Sequence, residues 1–167
     1  MLLKLTSRGY RFKRLFTGWR TWGWLWVFIG LLAGVSLTII LPQTLSDSFT
    51  LGLATKGLSK QNLFLFILIF VLVTPTLEEP FWRDYLGKSR GLLSLSDIAF
   101  AGYHLLVVAL FLPSAYWLFL PVILIGLSIV AAFWRWIFRT TQGLMIPWLS
   151  HAAADLSVML WVAWQFK

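Results

Sequence analysis

LFLFILIFVLVTPTLEEPFWRDY, residues 63–85, opens as an apolar run from Leu63 to Leu77 and then meets two glutamates, Glu78 and Glu79. An uninterrupted apolar run of this kind suits a lipid-facing helix, because the backbone must satisfy its own polar groups where no water is present. Carboxylates inside such a helix are costly in hydrocarbon, so they turn to a bundle interior and usually serve a purpose there. Pro75 and Pro80 bracket the pair. Each removes a backbone donor and frees a carbonyl one turn back, which predicts a kink or break beside a cavity.

The same reading extends outward. Further apolar runs lie at Trp22–Leu41, Ile98–Leu112, Tyr116–Phe138 and Leu144–Phe166. The fold expected is all-α, a polytopic transmembrane bundle of about five spans. Composition agrees: of 167 residues 59% are hydrophobic, 17% aromatic and 12% charged, where soluble domains carry about 25% charged residues. Trp19, Trp22, Trp24 and Trp26 suit the headgroup interface at the start of the first run. The segment Pro42–Asn62 is the longest connection and has room for some helix. Near Pro113 there is almost no loop, so the helices on either side should be antiparallel neighbours.

Charge sets the expected orientation. Eleven of the 14 basic residues fall on one side: six at the N-terminus (Lys4, Arg8, Arg11, Lys13, Arg14, Arg20), then Arg83, Lys88, Arg90, Arg135 and Arg139. Lys56, Lys60 and Lys167 fall on the other. This asymmetry puts the N-terminus in the cytoplasm. Residues 1–20 read as a basic juxtamembrane segment, and 21–167 as the transmembrane helical domain. The long basic stretch and full-length first run argue for an uncleaved helix over a signal peptide. The net charge of +8 clusters beside apolar runs rather than in a nucleic-acid-reading motif, so membrane lipids, not nucleic acid, are the expected partners. The absence of cysteine excludes disulfides, thiol catalysis and thiolate metal sites.

The chain has two histidines, His104 and His151, and both lie in apolar runs. Counted from the cytoplasmic ends of their helices, Glu78, His104 and His151 each sit roughly 10 Å deep at about 1.5 Å per residue. Three separate helices therefore bring an acid and two imidazoles to one level. Glu79–Arg83, Phe100–His104 and His151–Asp155 are each one turn apart; the first is the favourable order for a helical ion pair, and the last lets a carboxylate orient an imidazole. Glu78 is rotated about 100° from Glu79, so the two should play different parts. Singly, each histidine would be an ordinary interhelical hydrogen bonder. Asp97 reads as a cap where the third span begins, and Asp84 as a surface partner of cytoplasmic basic groups.

Glu78-Glu79-Pro80-Phe81-Trp82-Arg83 resembles the EExxxR motif of the CPBP family, the CAAX-protease and bacteriocin-processing (Abi-type) intramembrane endopeptidases. Phe100–His104 is similar to its FxxxH motif and His151–Asp155 to its HxxxN/D motif, with aspartate in place of the asparagine of eukaryotic CAAX endopeptidases. The resemblance covers 63–166, the family's catalytic bundle. It implies an intramembrane endopeptidase acting on a membrane-associated peptide, in a multi-pass protein of the bacterial inner (plasma) membrane. Carried over, Glu78 with His104 activates water, His151 and Asp155 serve the oxyanion, and Glu79, Arg83 and Phe100 support the site. No cofactor is required by that scheme, although two histidines and a carboxylate could also bind zinc. HExxH, GxSG and GxGD motifs are absent, which sets aside zinc, rhomboid-type and aspartyl intramembrane proteases. Two alternatives use the same residues: a non-proteolytic relative acting in immunity or as a scaffold, and a proton- or ion-handling membrane protein.

Overall fold

The computed structural model describes residues 12–40, 47–87, 89–111 and 114–166. Lys4, Arg8, Arg11, Lys88 and Lys167, used above to infer orientation, lie outside the described residues. Among those described, all regular structure is helical. The helices are α1 (Gly23–Ile40), α2 (Asp47–Thr55), α3 (Leu63–Tyr85), α4 (Leu95–Phe111), α5 (Leu120–Thr141) and α6 (Met145–Trp164). Short 3-10 turns precede α1 at Phe12–Phe16 and α5 at Ser114–Phe119.

Among the described residues, three segments are long and apolar enough to cross a membrane: Leu63–Tyr85, Trp117–Thr141 and Met145–Trp164. The chain is an integral membrane protein. α1 and α4 correspond to the other two expected spans, and their described parts are shorter. Their 18 and 17 residues reach about 27 and 25 Å at about 1.5 Å per residue, against a hydrocarbon layer of about 30 Å. α2 occupies the long connection, with Leu53 and Leu58 buried against Met159 and Val162 of α6.

The bundle exposes large apolar side chains and buries a polar cluster among apolar ones. Phe64, Leu65, Leu106, Leu110, Leu118, Ile125 and Ile129 face outward, while Glu79, Arg83, Asp97, Arg135 and His151 are buried. Lipid is as apolar as leucine, so helix association here rests on close packing and on satisfied polar groups. The α1–α6 pair illustrates both. Gly30 and Gly34 lie one turn apart on α1, and a Cβ on either would collide with the Ser150 or Ala154 carbonyl of α6. Their bare backbones let Ser150 Oγ donate to the Trp26 carbonyl at 2.8 Å, across the helix pair.

α4 and α5 pack antiparallel, as the minimal loop required. Arg135 near the end of α5 meets Asp97 near the start of α4, with Nη2–Oδ2 2.8 Å. Arg135 also donates to the carbonyls of Ser89, Gly91 and Leu92 at 2.8–3.1 Å. Asp97 is not itself the cap of α4. Ser94 precedes the helix, and Asp97 Oδ2 reaches back to accept its N–H at 2.9 Å, in the manner of a capping box. Arg135, which the sequence presents as a loop-facing topology signal, is fully committed inside this node.

At the same end, the chain before α1 docks on the α5–α6 turn. Leu15 is buried with Phe138 and Leu144. The Arg14 and Thr17 carbonyls accept the Leu144 and Met145 N–H groups at 2.8 and 3.2 Å, which satisfies donors that a helix start leaves free. Arg14 pairs with Asp84 at 2.6 Å. Gly18 has φ +86 and lies so close to Gly143 that neither tolerates a side chain.

Candidate active site

α3 is irregular where the prolines predict it. Thr74–Glu79 is α-helical, but π-helical turns flank it at Ile69–Val73 and Pro80–Tyr85. Each π turn inserts a residue and shifts the phase of the helix beyond it. Both glutamates consequently point inward: the Glu79 side chain is fully buried and that of Glu78 is 12% exposed. Trp148 Nε1 donates to Thr76 Oγ1 at 3.0 Å and ties this stretch to α6.

Two acid–imidazole pairs result. Glu78 Oε2 lies 3.4 Å from His104 Nε2. His104 Nδ1–H donates to the Phe100 carbonyl at 2.9 Å, so its Nε2 presents a lone pair towards Glu78. On the other side, Glu79 Oε1 accepts from His151 Nδ1–H at 2.8 Å, while Glu79 Oε2 accepts from Arg83 Nε at 3.2 Å. His151 Nε2 lies 3.6 Å from Asp155 Oδ2. A continuous polar line therefore runs Arg83–Glu79–His151–Asp155, beside the Glu78–His104 pair.

Phe100 packs against both histidines. Its ring is 4.1 Å from that of His104 and 5.7 Å from that of His151, centroid to centroid. The Arg83 guanidinium sits 4.6 Å over the same ring, a cation–π contact that suits a desolvated cation. Trp134, on α5, stacks on His151 with centroids 4.5 Å apart and planes inclined by 25°. Sequence reasoning places Trp19, Trp22, Trp24 and Trp26 at the headgroup interface and does not single out Trp134. No spacing signal marks it, because its relation to His151 runs between helices.

The structure thus brings together every residue singled out from the sequence: Glu78, His104, His151 and Asp155, with Glu79, Arg83 and Phe100 around them. One donor atom from each of Glu78, His104 and His151 falls within 4.8 Å of the others, a two-histidine, one-carboxylate set of the kind zinc accepts. A cavity of about 390 Å³ opens beside His104, His151 and Asp155. Val107, Val108, Ile123, Leu127 and Val158 make its far walls apolar. His104, His151 and Asp155 thus meet an apolar recess at this cavity.

The family model for type II CAAX prenyl endopeptidase Rce1-like proteins matches residues 60–157, more than half of the chain. The chain belongs to this family. The Rce1-like match takes in Glu78, Glu79, Arg83, Phe100, His104, His151 and Asp155, and leaves α1 outside it. The family is one of endopeptidases, which supports peptidase activity in general for the chain. Neither a curated protein nor a solved structure shows significant similarity to the chain.

Proposed function

We propose that the chain is an intramembrane endopeptidase in which Glu78 and His104 activate water for attack on a peptide bond of a membrane-associated substrate. The observation that carries this reading is the meeting of Glu78, His104 and His151, from three helices, beside a largely apolar cavity. Glu78 Oε2 and His104 Nε2 are two acceptors 3.4 Å apart. A water there donates one proton to each. Glu78 takes a proton as the water oxygen bonds to the carbonyl carbon. The developing oxyanion lies towards His151 and Asp155. Glu78 then returns the proton to the departing amine as the C–N bond breaks. Glu79 and Arg83 hold His151 from behind.

The apolar recess would take the hydrophobic part of a substrate, so a prenylated CAAX peptide is the first probe. Lipids and this peptide are the proposed partners, and the proposed setting is a multi-pass protein of the bacterial inner membrane with its N-terminus in the cytoplasm. The scheme needs no cofactor. Activity should accordingly survive a strong chelator; loss on chelation and recovery with zinc would recast Glu78, His104 and His151 as metal ligands.

The deciding test is Glu78→Gln, which preserves shape but removes the proton acceptor. In proteoliposomes, cleavage should fall by at least ~100-fold, within the usual general-base range, at wild-type protein level. Quantitative membrane proteomics of wild type against Glu78→Ala would find natural substrates. Normal cleavage by Glu78→Gln overturns the mechanism.

A further inference from the structure

We propose that Trp134 is a positioning residue for His151, itself held in place by the first helix through Ser150. The inference rests on the reading of His151 as the group facing the reacting carbonyl. A hydrogen bond from Nδ1 to Glu79 fixes where one ring atom points, but the imidazole can still roll about that axis. The indole face of Trp134 at 4.5 Å and 25° removes the roll. Bond and stack together fix the direction of Nε2, the atom that faces Asp155 and the cavity.

The indole is fixed in turn. Trp134 is 3% exposed. Its Nε1–H donates to Ser150 Oγ at 2.9 Å, and Ser150 Oγ–H donates to the Trp26 carbonyl at 2.8 Å. The hydroxyl has one proton to give and lone pairs to accept with, so the chain runs in one direction, from Trp134 through Ser150 to α1. Trp26 lies outside the family-matched residues 60–157. Gly30 makes the link possible, since a Cβ there would occupy the place of the Ser150 carbonyl and hydroxyl. α1 thereby takes part in setting the angle of a ring on α6 through Trp134 and Ser150. Ser150 precedes His151 in the chain, so a shift of either is passed directly to the other.

The test does not need a cleavage assay. Because the chain has 2 histidines, full-length protein labelled with ¹⁵N,¹³C-histidine in lipid nanodiscs gives two imidazole spin systems, assigned with His104→Gln. Wild type should show one His151 ring orientation, with its carbon-bound ring protons moved upfield by the indole ring current. Trp134→Leu should abolish that upfield shift and broaden or split the His151 signals, while Trp134→Phe should retain part of it. Ser150→Ala should broaden or split the His151 signals although the indole is still present. His104 signals should stay at wild-type positions in Trp134→Phe and Ser150→Ala. A merely structural role would instead lower the unfolding temperature and disturb both histidines alike. If Trp134→Leu does not fold, Trp134→Phe and Ser150→Ala decide the matter. Unchanged His151 signals in Ser150→Ala, or in a folded Trp134→Leu, overturn the proposal. Normal cleavage by Glu78→Gln would defeat the catalytic reading while leaving these spectra to be judged separately.

Discussion

Asp155 stands where eukaryotic CAAX endopeptidases are expected to carry asparagine, one turn beyond His151 and 3.6 Å from its Nε2. An ionised carboxylate beside an oxyanion would oppose it, because like charges at short range repel. Asp155 can help in two ways: as a protonated carboxyl that donates, or by orienting His151. Since His151 Nδ1–H is already given to Glu79, donation from Nε2 requires the doubly protonated ring. Asparagine offers both a donor and an acceptor and can take over much of either part. Asp155→Asn should keep cleavage within about tenfold, and Asp155→Leu should lose ~100-fold or more, the effect of a missing oxyanion donor. An asparagine variant as inactive as leucine would mean that the carboxylate itself is needed. Glu79 makes a different demand. It is buried between Arg83 and His151, so Glu79→Gln leaves the guanidinium uncompensated and should lower stability by about 3–5 kcal/mol. It should also lower turnover of the molecules that do fold, since the tie to His151 weakens. Thermal unfolding and specific activity measured on the same preparation separate the two losses; full activity at reduced stability would make Glu79 a support of the fold alone.

The α1–α6 pair depends on the absence of side chains at Gly30 and Gly34. Gly34→Ala would push a methyl against the Ala154 carbonyl and Ser157 Oγ, and overpacking of this kind costs about 1–3 kcal/mol. The helices should separate, with lower thermal stability and reduced cleavage. Gly126 has open space around it, so Gly126→Ala is the control and should leave stability unchanged. Equal stability of Gly34→Ala and Gly126→Ala would show that α1 is not tightly seated. The small-residue spacing of Gly30 and Gly34 is present in the sequence, but a stripe of this sort does not say which helix it will meet. The kink in α3, by contrast, is legible from Pro75 and Pro80, because the loss of a backbone donor is a local event. The start of α4 is legible only in part. Asp97 reads as a cap, yet its bond to Arg135 joins residues on two helices and leaves no trace in local spacing.

Across the molecule, the basic groups gather at one end. Arg14 reaches Asp84, and both Arg135 and Arg139 donate to the Ser89 carbonyl. At the other end, Lys56 donates to the Leu110 carbonyl. The charge rule assigns the first end to the cytoplasm. The chain has no cysteine, so single substitutions label cleanly. Arg90→Cys should be modified by an impermeant thiol reagent only when the cytoplasmic face is opened, and Lys60→Cys from outside. The reverse pattern would invert the orientation.

The helical class and the separate site motifs can be read directly from the sequence. Hydrophobic run length dictates helices in lipid, and Glu79–Arg83, Phe100–His104 and His151–Asp155 are neighbours within single helices. The common depth of Glu78, His104 and His151 can be counted in the same way, since axial position is set by rise per residue. Rotation of each helix about its axis cannot be obtained by such counting. It is set by how the helices pack, by π turns that shift phase in α3, and by the close approach that two glycines permit in α1. Those features decided that Glu79 would hold His151 as well as Arg83, that Asp97 would meet Arg135, and that Trp134 would lie flat against the imidazole. Contacts one turn apart are properties of a helix; contacts between helices are properties of the bundle, and only the bundle has them.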